Sequence, residues 1–165
     1  MNLTFNPAQI VNLPTIVEIY NSTIASRMVT ADMEPVSVES RLEWFNRHNA
    51  NRPLLLVKNI DQNVIGWVSF EPFYGRPAYN GTAELSIYLH ESFRGNGYGK
   101  LILQHCIGIT ASLGITTLLG FIFQHNQPSL KLFYDAGFTD WGILPNIALL
   151  DGVERTLVIV GLRVR

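Results

Sequence analysis

Residues 82 to 113 hold the feature that most narrows what this chain can fold into: an alternating strand, then a run of spaced glycines, then a helical stripe. Thr82, Glu84, Ser86 and Tyr88 fall on one face, and Ala83, Leu85, Ile87 and Leu89 on the other, the period-two pattern of a half-buried strand. Gly95, Gly97 and Gly99 follow. Leu101, Ile102, Cys106, Ile109 and Leu113 then recur at helical spacing up to Gly114, a suitable C-terminal cap. A helix that begins inside a glycine run offers unpaired backbone N–H groups and the positive end of its dipole, so the junction predicts a site for phosphate or pyrophosphate. The spacing argues against the usual nucleotide sites. It reads G-x-G-x-G, not the G-x-G-x-x-G of a dinucleotide fold, and Gly99-Lys100 precedes Leu101 where a P-loop has Ser or Thr. Taken alone, the run also fits a flexible strand-to-helix turn.

The flanking sequence supplies the other elements. Leu13, Ile16, Val17, Tyr20 and Ile24 predict an amphipathic helix with Pro14 in its first turn. Ser37 is a candidate N-cap for a second helix through Arg47, with Leu42 and Phe45 on its packing face. Leu54 to Val57 and Val64 to Phe70, joined by Asp61-Gln62-Asn63, read as an antiparallel hairpin. Thr116 to Ile122 is a further strand, Ser129 to Ala136 a short helix stopped by Gly137, and Phe138 to Ile143 and Val153 to Val164 are strands turning at Asp151-Gly152. The resulting order is strand, two helices, three strands, helix, strand, helix, two strands. It predicts an α/β (α+β) domain built on one sheet over residues 1–165.

Composition bounds the function. A chain of 165 residues, 47% hydrophobic and 15% charged, suits a single packed core. A net charge of -1 without a basic tract argues against nucleic acid as a partner. No stretch nears the roughly 18 apolar residues of a membrane span, and residues 1–7 lack signal-peptide character, so a soluble cytoplasmic protein is expected. Cys106, the single cysteine, lies in an apolar stripe and reads as a core thiol. His48, His90, His105 and His125 lack metal-ligand spacing, and no metal is expected.

Arg94-Gly95-Asn96-Gly97-Tyr98-Gly99 resembles the R/Q-x-x-G-x-G/A signature of the GNAT superfamily of N-acetyltransferases. The segment from Asn126 through Ser129 and Phe133 to Gly137-Phe138 is similar to the stretch that forms the CoA side of the family's fourth helix. Glu34-Pro35, Arg76-Pro77-Ala78-Tyr79 and the strand around Glu84 resemble the branch of phosphinothricin and methionine-sulfone acetyltransferases. The resemblance implies the GNAT fold, a single mixed and mostly antiparallel sheet flanked by about four helices. It also implies acetyl-CoA as co-substrate, a small-molecule amine as acceptor, and a homodimer, for which the apolar stretches 147–150 and 157–162 are available as pairing edges.

The same resemblance assigns roles. Backbone amides of Arg94, Gly95, Asn96, Gly97, Tyr98, Gly99 and Lys100 would hold the CoA pyrophosphate, while the strand at Leu85, Ile87 and Leu89 would pair with the pantetheine arm. Asn126, Ser129 and Phe133 would line that arm, with Asn126 alternatively a helix cap. Glu84 is the candidate base, or else a structural carboxylate, and a backbone N–H near Ile87 the oxyanion donor. Arg76, with Tyr74 beside it, would meet an anionic group of the substrate, or Arg76 is simply an exposed arginine. Departures from the branch are Tyr74, Asn80 and Leu85, and Phe133 stands where a proton donor is usual. Tyr134 is the neighbouring hydroxyl, about 100° further around a helix. A non-catalytic acyl-CoA sensor, or an enzyme acting on protein N-termini or aminoglycoside-type amines, are the other readings.

Overall fold

The computed structural model describes residues 2–164. Seven strands form one sheet in the order β1-β2-β3-β4-β5-β7-β6, namely β1 (Thr4–Pro7), β2 (Leu54–Lys58), β3 (Val64–Pro72), β4 (Thr82–Leu89), β5 (Thr117–Phe123), β6 (Thr139–Leu150) and β7 (Val153–Arg163). Every pairing is antiparallel except β4 with β5. The helices are α1 (Leu13–Ser22), α2 (Leu42–Asn46), α3 (Tyr98–Ile109) and α4 (Gln127–Asp135).

The alternation along β4 divides the molecule. Ala83 and Leu85 enter a core closed by Ile102, Leu103 and Cys106 of α3 and Leu130 and Phe133 of α4. On the other face, Ile16 and Ile19 of α1 pack with Leu54, Leu56 and Trp67, and Tyr88 covers their edge. Each large apolar side chain removed from water there contributes roughly 1.5–3 kcal/mol. Trp67 belongs to this layer for a second reason, since its indole N–H donates to the Ile16 carbonyl at 3.0 Å. No helix among the described residues is long and apolar enough to cross a membrane.

Three expectations change. The second helix is a 3-10 turn at Glu39–Arg41 followed by the short α2, and it packs through Trp44 and Phe45 while Leu42 is exposed. Strand β6 runs on to Leu150 past Pro145, which falls within a register shift between Leu144 and Ala148 that absorbs the irregularity. Strand β7 lies inside the sheet, paired on both sides, so residues 157–162 offer no edge; the edge belongs to β6.

Candidate active site

Strands β4 and β5 run together only from Thr82↔Thr117 to Glu84↔Leu119, anchored by Thr116 and Thr117 N–H groups that donate to the Gly81 carbonyl. Beyond Glu84 they part. His90 N–H donates to Ile65 O on the β3 side, so by alternation Tyr88, Ser86 and Glu84 also face β3, whereas the backbone groups of Ile87 and Leu89 face the gap. This is a bare strand edge inside a sheet, able to pair with an extended polar chain. On β5, Gly120 leaves room for the Phe133 ring, since an added Cβ would sit 2.9 Å from it.

At the far end of the gap the glycine run starts α3. Gly97 is the N-cap, and Gly95 and Gly97 both have positive φ (76° and 80°), a conformation that other residues adopt at a cost. Gly99 serves a different need, because a Cβ there would come within 3.2 Å of Leu132 on α4. A groove of about 460 Å³ connects these parts and is lined by Ile87, Leu89, Arg94, Gly95, Gly97, Gly99, Lys100, Asn126, Ser129 and Phe133. Leu85 faces the adjoining gap. Asn126 is at once a lining residue and a cap, its Oδ1 accepting from Ser129 N–H at 3.3 Å. Arg94 ties the loop back to β4, its guanidinium donating to the Leu89 carbonyl at 3.1 and 3.2 Å.

Some candidates turn elsewhere. The side chains of Asn96 and Tyr98 do, the Asn96 side-chain amide donating to the Arg94 carbonyl and the Tyr98 ring packing toward the core beside Phe93, while the role expected of these two residues concerns their backbone N–H groups. Tyr134 is 41% exposed and donates to Asp140 Oδ1 at 2.7 Å, outside the groove, because the turn of α4 that buries Phe133 sends the next side chain outward. Tyr74 (77% exposed) and Arg76 lie on an exposed loop and line neither the groove nor the cavity described next. Cys106 is buried, and burial pushes its thiol up to about 12, which suits a core residue and not a nucleophile.

Glu84 lies on the opposite face of β4, in a second cavity of about 170 Å³. Glu71 is directly across on β3, and the walls include Tyr20, Arg41, Trp44, Trp67, Ser69 and Ser86. Burial first, and the like charge of Glu71 second, raise the Glu84 carboxyl above the ordinary range. Arg41 is the guanidinium of this cavity. It bonds Asp32 at 2.9 Å and lies 4.7 Å from the Tyr20 ring centroid, while the Tyr20 hydroxyl donates to the same Asp32 carboxylate. Tyr88 lines both cavity and groove, stacks on Trp67 at 4.4 Å, and is held protonated by burial. A base with raised affinity for protons therefore sits one strand's thickness from an edge built to hold an extended ligand.

Glu71 and Arg41 were not evident from sequence. The expected strand ends at Phe70, one residue short of Glu71, and Arg41 falls inside the expected second helix but off the Leu42 and Phe45 face that its spacing marks.

The acetyltransferase (GNAT) family model matches residues 16–138. YwnH of Bacillus subtilis (strain 168) is 54% identical over 159 residues, covering 96% of this chain and 98% of its own. An L-methionine sulfoximine/L-methionine sulfone acetyltransferase of Pseudomonas aeruginosa is 27% identical over 148 residues, covering 89% of this chain and 86% of its own. The crystal structure of a GNAT superfamily phosphinothricin acetyltransferase from Sinorhizobium meliloti, in complex with acetyl-CoA, superposes with a TM-score of 0.90 at 26% identity, over 99% of this chain and 89% of that one. The split between β4 and β5, the glycine-capped α3 and the breadth of these matches agree, and the chain belongs to the acetyltransferase (GNAT) family as an acetyl-CoA-dependent N-acetyltransferase.

Proposed function

We propose that the chain, acting as one domain over residues 1–165, acetylates the primary amine of a small amino-acid-like substrate of the phosphinothricin or methionine-sulfone type. The observation that carries this is the make-up of the Glu84 cavity: carboxylates from the sheet wall, a guanidinium from the helical wall and aromatic rings between them. That polarity suits a zwitterion, with the ammonium at Glu71 and Glu84 and the anionic group at Arg41. Arg41 thus takes the part expected of Arg76.

The residues divide the chemistry. Acetyl-CoA supplies a thioester carbonyl. The glycine loop, with Lys100 at its edge, holds its pyrophosphate, and Ile87 and Leu89 pair with its arm. Glu84 takes a proton from the substrate ammonium, its raised pKa making it a better proton acceptor than an ordinary carboxylate. The amine then attacks, a C–N bond forms as the C–S bond breaks, and the Ile87 N–H faces the oxygen that gains charge. Tyr88, shared by cavity and groove, gives its proton to the departing thiolate and regains one from the nitrogen, which sheds its second proton as the amide forms, while the proton on Glu84 passes to solvent.

Two further readings belong to the same proposal. The exposed row Ile143, Ile147 and Leu149 on edge strand β6, with Val153 beyond the turn, is where a second copy would pair, and a cytoplasmic location would supply acetyl-CoA. Free-thiol release from acetyl-CoA over a panel of amino acids, their sulfone and phosphinate analogues, aminoglycosides and peptides tests the substrate class. Release confined to aminoglycosides or peptides would refute it, and acetyl-CoA binding without release in any case would mark a non-catalytic sensor.

A further inference from the structure

Beside the cavity that holds Glu71 and Glu84, against Ser69 and Trp44, lies His48, just beyond α2. It lines the outer groove between α2, β1 and α3, and not the amine cavity itself. Its two ring nitrogens have partners of different kinds. Nδ1 is 3.0 Å from the Trp44 carbonyl oxygen, and Nε2 is 2.7 Å from Ser69 Oγ. A carbonyl oxygen can only accept, so Nδ1 carries the hydrogen. The neutral ring then has a bare lone pair at Nε2, and the single hydrogen of the Ser69 hydroxyl must point at it.

Ser69 is buried on β3, and it lines the amine cavity together with its cross-strand partner Ser86 and with Glu71 and Glu84. With its hydrogen committed to His48, Ser69 has only lone pairs to offer the cavity. We propose that His48 is a positioning residue that fixes Ser69 as an acceptor, so that the sheet wall meets a primary ammonium with acceptors from Ser69, Glu71 and Glu84. The proposal rests on the acetyl-acceptor reading of this cavity given above. Three acceptors match the three N–H groups of a primary ammonium.

The arrangement is sensitive to pH. Burial keeps the His48 imidazole below its ordinary value; Glu71 on β3 and the Trp44 and Phe45 carbonyls oppose that effect, and Arg47 reinforces it. His105 of α3, across the outer groove, is also held low by burial. Once His48 takes a second proton, Nε2 becomes a donor. Ser69 must then accept from it and turn its own hydrogen into the cavity, against the ammonium. Amine binding should therefore weaken as pH falls through the His48 titration.

Two measurements decide the matter. Nitrogen-15 histidine spectra of the labelled protein at pH 7.5 should show His48, assigned by comparison with Ser69→Ala, as a neutral ring with hydrogen on Nδ1. A hydrogen on Nε2, or a charged ring at that pH, overturns the proposal whether or not any amine is a substrate. With an amine that supports thiol release, Ser69→Ala and His48→Leu should each raise the amine KM about tenfold, the loss of one hydrogen bond to a charged group, and leave the acetyl-CoA KM unchanged. Ser69→Thr should restore binding, and His48→Leu should lose the part of the acid-side rise in KM that follows the His48 titration, keeping only the rise that protonation of Glu84 itself causes. Unchanged amine KM in both variants, with normal thiol release, overturns the proposal. Failure of every amine would instead refute the acetyl-acceptor reading, and the tautomer measurement would still judge the His48–Ser69 pair.

Discussion

Replacing Glu84 by Gln should make the protein slower and more stable at once. Glu71 and Glu84 are directly opposed across β3 and β4. If their charges lie about 6–8 Å apart, an effective dielectric of about 20 gives a repulsion of about 2–3 kcal/mol. Both residues are partly exposed, so solvent screening reduces the net effect to about 1 kcal/mol. Because the folded-state pKa of Glu84 is raised, the native state binds a proton more readily than the unfolded chain between the ordinary value and the raised one. Stability therefore falls as pH rises through that window. Glu84→Gln lacks this loss. Its melting temperature should exceed that of wild type by about 2–4 °C at pH 8, and the difference should vanish below about pH 4. At neutral pH its kcat/KM should be roughly 10²- to 10⁴-fold lower, with partial recovery at high pH where free amine forms without help. Calorimetric melts at several pH values, beside thiol-release kinetics, read both effects. A variant less stable than wild type at pH 8 would identify a carboxylate held by structural partners, and near-normal turnover would remove Glu84 from the proton path.

Gly97→Val places a β-branched residue at positive φ on the N-cap of α3, so acetyl-CoA affinity measured by titration calorimetry should fall at least tenfold in a protein that still folds. Arg41→Ala should raise the KM for carboxylate-bearing amines at least tenfold without moving the acetyl-CoA KM, while Arg76→Ala should leave both unchanged; the reverse pattern would return the anion site to the exposed loop. Tyr88→Phe should lower kcat by about tenfold or more, whereas Tyr134→Phe should not, since the Tyr134 hydroxyl is engaged with Asp140 outside the groove.

What could be read from the sequence were features written in neighbouring residues. The two-residue period of 82–89 and the glycines at 95, 97 and 99 announce a strand edge and a helix start by local rules, and both stand where those rules put them. The Glu84 cavity follows no local rule. It joins Tyr20 of α1, Arg41, Ser69 and Glu71 of β3, and Glu84 of β4, and which of these meet depends on the β3–β4 register and on how α1 and α2 cross the sheet. Arg76 precedes the key strand in sequence, but it is exposed and lines neither the groove nor the cavity. The hydroxyl of Tyr134 was lost to a rotation of one residue on α4. The His48–Ser69 bond spans 21 positions, and the direction proposed for it depends on a main-chain carbonyl, which no side-chain pattern encodes.

The short ladder between β4 and β5 also bears on how the molecule holds together. Three residue pairs and the Gly81 anchor are the backbone seam between the group β1–β4 and the group β5–β7, whereas β3 with β4 and β5 with β7 are each joined over seven pairs. Cooperative opening of the native state should therefore divide the protein along this line, with amide exchange fastest beside the gap. An acyl-CoA arm laid along Ile87 and Leu89 would act as a missing strand, so that ligand binding and the mechanical integrity of the sheet become one equilibrium.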